Sequence, residues 1–135
     1  RKREIAVVRA GKKNIMYPEN IRMMFAVKNL TSRREELERS KKIASRNPGE
    51  GIIAMLNGMI ARPSRQYILA SGGVPLLWIL GRHDLYFSPE RAIRDTGLPY
   101  NAEVVILENS GHLGFIEERE KSSRLLEGFA EQIKW

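Results

Sequence analysis

The sequence predicts an α/β arrangement in which a mainly helical segment, residues 1–72, leads into a strand-helix-strand-helix unit, residues 73–135, with parallel strands. Three observations predict it. Val74 to Leu80 is an unbroken apolar run between Gly72-Gly73 and Gly81, the pattern of a strand covered on both faces. Glu103 to Leu107, centred on Val104-Val105-Ile106, is a second strand. Between them, Ser88-Pro89-Glu90 offers an N-cap hydroxyl and a proline at the first helical position, so a short helix runs to about Thr96, where Gly97 and Pro99 end it. A right-handed connection of this kind makes the two strands parallel, and the loops leaving them emerge on the same edge of the sheet.

The helical segment opens with Arg1-Lys2-Arg3 and Ile5-Ala6-Val7-Val8, which fits either a helix end or a short strand closed by Gly11. Tyr17-Pro18-Glu19-Asn20 begins a helix with Ile21, Met24, Phe25 and Lys28 on one side, broken at Asn29 to Thr31. Ser32-Arg33-Arg34-Glu35 has the spacing of a capping box, and the helix it starts runs to about Ser45. Leu37, Ile43 and Ala44 give that helix a thin apolar face, which places it on the surface. Asn47-Pro48 starts another helix, whose broad stripe of Ile52, Met55, Leu56, Met59 and Ile60 predicts burial. Its methionines, with Met23-Met24, can line an apolar substrate channel; a helix-helix core is the plainer reading. The last segment, Glu117 to Lys134, carries Leu125, Leu126, Phe129, Ala130 and Ile133 at helical spacing and is expected to lie on the sheet. Adjacent helical residues diverge, so Glu117-Glu118 reads as a solvated first turn rather than an acid-base pair.

A chain of 135 residues, 42% of them hydrophobic, supplies a single modest core. The absence of cysteine excludes disulfides and thiol catalysis and fits a reducing compartment, so cytoplasm is the expected location. The longest apolar runs, around Ile52 to Ile60 and Val74 to Leu80, are too short to span a bilayer, and no membrane partner is expected. Charge is uneven. Residues 1–70 hold sixteen lysines and arginines against six carboxylates, whereas residues 71–135 hold seven against ten. Because acids are interleaved with the bases and no groove-reading motif is present, the basic half reads as solvated helical face, with no nucleic acid expected. No glycine-rich phosphate loop is present, and His83, Asp84 and His112 lack a further converging ligand, so neither cofactor nor metal is expected.

Asp84 ends the Gly81-Arg82-His83-Asp84 stretch after the first strand, and His112 ends Asn109-Ser110-Gly111-His112 after the second. With parallel strands the two face each other. A carboxylate beside an imidazole fixes the tautomer of the ring and stabilises its protonated form, as a general base for a hydroxyl nucleophile requires. Asp84 also has a simpler role open to it, closing the turn after Gly81.

Pro75, an apolar strand, Gly81-x-x-Asp84, a second strand, and Asn109-Ser110-Gly111-His112 before an amphipathic helix together resemble the C-terminal part of an α/β-hydrolase, from Val74 to Ile133. The resemblance implies that Asp84 and His112 are the catalytic acid and base, that His83 points away, and that residues 1–72 correspond to a helical cap. It also implies a small-molecule substrate with an apolar or acyl group. The family's nucleophile elbow, Gly-x-Ser-x-Gly, is not among these residues, since no serine has glycine two positions to each side. The chain is therefore expected to be a C-terminal fragment of a serine hydrolase, inert alone, with an unpaired sheet edge that favours self-association. The competing expectation is a non-catalytic basic binding module on a hydrolase-like scaffold.

Overall fold

The computed structural model describes residues 1–99 and 101–133. Helices α1 (Lys2–Arg9), α2 (Lys13–Met24), α3 (Arg34–Ser45), α4 (Gly49–Ala61) and α5 (Gln66–Ala70) come first, with a 3-10 turn at Val27–Asn29. Strand β1 (Leu76–Gly81), α6 (Pro89–Thr96), β2 (Ala102–Leu107), α7 (Gly114–Glu117) and α8 (Arg119–Gln132) follow. The strands pair parallel, from Leu76 opposite Ala102 to Gly81 opposite Leu107, as the strand-helix-strand order predicts. Ser88 Oγ accepts from Arg91 N–H at the start of α6, Pro89 fills the first turn, and Gly97 ends the helix with φ +58°. A left-handed residue at that position suits glycine.

The run at Ile5 to Val8 is helical, and Ile5 and Val8 are buried on the side of α1 that faces α4. Phe25 and Ala26, the most buried apolar residues of the helical segment, sit where it meets the loop after β2, and Leu80 and Leu107 are buried near the ends of the two strands. Several basic side chains of the helices pair with an acid one turn away, including Arg22 with Glu19, Arg33 with Glu36 and Lys41 with Glu38. Among the described residues no helix is long and apolar enough to cross a membrane.

Five local expectations are corrected. Helix α2 starts at Lys13, so Pro18 lies inside it; the Lys12 carbonyl accepts from Ile15 and Met16 N–H and sets a first turn ahead of the proline. The capping box does not form. Ser32 Oγ donates to the Asn29 carbonyl instead, because the turn continues to Arg33 and α3 begins only at Arg34. Helix α4 buries Leu56, while Met55, Met59 and Ile60 remain 55%, 47% and 45% exposed, since α1 covers only one stripe of it. The first strand starts at Leu76 rather than Val74, and only its last two residues are buried, so its faces are not both covered. The expected final helix breaks at Glu118 (φ −123°, ψ 54°) into α7 and α8, and α7 makes the contact with β1; its expected end at Lys134 lies outside the described residues.

The accessible surface is 9710 Å². A compact monomer of 15.5 kDa exposes about 7,200 Å². The excess is in keeping with the half-exposed strands and with exposed apolar residues such as Val74, Phe115 and Leu126.

Candidate active site

Both loops of interest leave the C-terminal ends of the parallel strands. The ladder extends beyond the strands, with Arg82 N–H donating to the Leu107 carbonyl and His83 N–H to the Ser110 carbonyl, each at 2.9 Å. This brings the backbones so close that a Cβ on Gly81 would overlap the Gly111 carbonyl, and one on Gly111 would lie 2.7 Å from Ala26 N and Met24 O. Glycine is required at both positions by proximity.

Asp84 and His112 meet. Asp84 Oδ2 accepts from His112 Nδ1 at 2.8 Å, while Asp84 Oδ1 accepts from the N–H groups of Tyr86 and Phe87 at 2.7 and 3.0 Å. One carboxylate oxygen thus meets the imidazole and the other closes the turn. Its side chain is 7% exposed and that of His112 is 36% exposed. With Nδ1 as donor to the carboxylate, Nε2 is the nitrogen left free to take a proton. Phe87 stacks beside the imidazole at 5.8 Å, and Tyr86 lies at 5.6 Å with its ring tilted. Burial pushes the Tyr86 hydroxyl above its usual pKa. The side chain of His83 is exposed.

The carboxylate pair read as a solvated first turn is instead the anchor of the histidine loop. Glu117 is 3% exposed. Its Oε1 accepts from Ala26 N–H and from the Asn29 amide, both at 2.8 Å, and its Oε2 accepts from Gly111 N–H at 2.7 Å. Glu118 Oε2 takes Asn109 N–H at 2.8 Å and Ser110 Oγ at 2.7 Å. Glu118 is itself the break, with φ −123° and ψ 54°, so the helical geometry that keeps neighbouring side chains apart does not hold there. The Met24 carbonyl, at the end of α2, accepts from His112 N–H at 2.7 Å and Leu113 N–H at 3.3 Å. The one sequence signal was two glutamates soon after the histidine loop, and a solvated helix start gives the same signal.

On the outer side, Arg82 joins the strand ends to α6. Its guanidinium makes two bonds to Glu108, at 2.9 and 2.8 Å, and one to Glu90 at 2.7 Å. The Arg82 hydrogen bonds hold the Glu108 carboxyl below its usual pKa, and Glu108 raises that of Arg82 in turn. A depressed carboxyl contributes stability above its ordinary value of about 4.5 and loses it as pH falls through the lower folded value. Glu108→Gln is therefore expected to lower the melting temperature at pH 7 by no more than about 2 °C, since the pair is solvated, and the gap should narrow as the pH falls below about 4.5. A difference that persists unchanged at pH 3 rules out this linkage.

Two cavities of about 300 Å³ each reach His112. One lies on the sheet side, between Trp78, Leu107, Phe115 and Leu126. The other lies on the helix side, between α2 and α4.

No family model and no curated protein matches the chain. Its architecture is that of an α/β-hydrolase fold. Among solved structures it is similar to a thermophilic esterase from Thermogutta terrifontis, with TM-score 0.86 and 22% identity over 96% of this chain and 48% of that one. It is also similar to the esterase EaEST from Exiguobacterium antarcticum, with TM-score 0.77 and 19% identity over 96% and 47%. A third is MGS-M2, an α/β hydrolase enzyme from a Medee basin deep-sea metagenome library, with TM-score 0.74 and 20% identity over 99% and 50%. The chain spans about half the length of these proteins. At such identities the likeness is one of fold.

Proposed function

We propose that this chain supplies the acid and base of a serine hydrolase acting on an ester or related bond. The observation that carries the reading is the 2.8 Å contact between Asp84 Oδ2 and His112 Nδ1 at the adjoining ends of two parallel strands. His112 Nε2 takes the hydroxyl proton as the serine oxygen attacks the carbonyl carbon, and returns it to the departing alkoxide; water then repeats the exchange to release the acid. Asp84 keeps the ring in the required tautomer and balances the imidazolium.

The nucleophile comes from outside these 135 residues. Ser110, though near in sequence to His112, is fully buried and donates to Glu118, so it is not available. The sheet-side cavity beside His112 and the half-exposed strand faces leave room for further strands and the turn that carries the serine. Residues 1–72 then act as a cap over the helix side.

A serine-directed fluorophosphonate is expected to leave the 135-residue chain unlabelled. It should label one serine in the polypeptide that supplies the remaining strands. There His112→Ala should remove most labelling and His83→Ala should spare it. Full labelling of His112→Ala overturns the assignment.

A further inference from the structure

We propose that the helix-side cavity receives a linear, uncharged aliphatic acyl chain of roughly six to ten carbons, with the ester carbonyl at His112 and the tail running toward α4. The placing of an ester carbonyl at His112 rests on the hydrolase reading above; the binding of an aliphatic chain does not.

His112, Tyr86 and Phe87 line the cavity together with residues of α2 and α4. Four of the five methionines of the chain line it: Met16, Met24, Met55 and Met59. Met55 and Met59 lie one helical turn apart on α4 and are 55% and 47% exposed. From Gly51 to Ile60 the helix carries no charged residue, so the face it turns to the cavity has nothing with which to hold an ionic ligand. The charged groups among its lining residues are Arg1 and Glu4, which pair with each other at 3.1 Å. An uncharged ligand is therefore favoured over an acid or an amine.

Methionine side chains are unbranched and polarizable and adjust to a flexible guest, whereas branched or aromatic walls fix one shape. That property suits a linear chain of variable length. About 300 Å³ is at the small end of ligand sites and equals roughly ten water-sized groups, which sets the length. On the hydrolase reading the hydroxyl that attacks the carbonyl carbon gives its proton to His112 Nε2, so the carbonyl lies beside His112.

Alkyl methyl ketones copy the shape of methyl esters and are not hydrolysed. They can be titrated into the 135-residue chain carrying ¹³C on its methionine methyl groups. Met23 is 37% exposed and does not line the cavity, so it serves as the internal control. The expected result is movement of the Met16, Met24, Met55 and Met59 resonances with Met23 fixed. Affinity should rise about fourfold per added methylene from 2-butanone to 2-octanone, the factor that corresponds to about 0.8 kcal/mol per buried methylene. Met59→Glu, at a half-exposed position, should weaken 2-octanone binding at least tenfold while the folded spectrum is kept. Uniform movement of all five methionines, no movement, affinity independent of length, or full affinity in a folded Met59→Glu each overturns the proposal. Ketone binding as expected with no serine labelling in the larger polypeptide sinks the hydrolase reading alone. Labelling without ketone binding sinks the acyl site alone.

Discussion

Glu117→Ala is expected to destabilise the folded chain by about 3 kcal/mol or more, a large part of the 5–15 kcal/mol typical of a domain. The substitution strands three donors at once: Ala26 N–H, Gly111 N–H and the Asn29 amide all lose their acceptor in a place where Glu117 is 3% exposed. A buried donor without a partner costs about 1–3 kcal/mol, and water reaches this site poorly. Glu117→Gln keeps the shape and one carbonyl acceptor but turns an amide group toward a donor, so its loss should be smaller. Urea unfolding followed by circular dichroism measures both. A Glu117→Ala chain within 1 kcal/mol of the parent shows that the loop does not depend on this carboxylate.

Asp84→Asn should lower ester turnover by about 10³–10⁴-fold in the polypeptide that carries the nucleophile, with little change in folding. The reason lies in the division of labour between the oxygens. An asparagine can keep its carbonyl on the N–H groups of Tyr86 and Phe87, which holds the turn. Its amide nitrogen then faces His112 Nδ1 where the carboxylate stood. Two donors cannot share that contact, so the ring adopts the tautomer with its proton on Nε2 and loses the lone pair that takes the serine proton. Asp84→Ala should lose turnover to the same degree and also loosen the loop. Turnover of Asp84→Asn within tenfold of the parent removes Asp84 from the mechanism.

These two residues also mark how far the sequence could be read. The meeting of Asp84 and His112 was legible because it follows from strand order: two apolar runs with one helix between them fix parallel strands, and the residues just after parallel strands share an edge. The start and end of α6 were legible for a similar reason, since Ser88, Pro89 and Gly97 act through their own backbone neighbours. Glu117 was not. Two of its three partners, Ala26 and Asn29, lie 91 and 88 residues away, and the spacing of Leu125, Leu126 and Phe129 gives no sign of the break at Glu118 that frees it. Ser32 shows the same limit in miniature, because a hydroxyl with cap spacing found a nearer carbonyl. The stripe on α4 was read correctly as apolar and wrongly as covered, since apolar periodicity says which face avoids water and not what is there to meet it.

The double acceptance by the Met24 carbonyl makes the end of α2 and the histidine loop a single cooperative unit in local unfolding. Lys28 and Asn29 add bonds to Asn109, and Arg33 adds one to the Glu117 carbonyl, so the stretch from Met24 to Arg33 cannot lift without exposing the amide of His112. Helix α4, by contrast, is held chiefly by α1. Opening of the helix-side cavity is therefore expected at α4 rather than at the histidine loop.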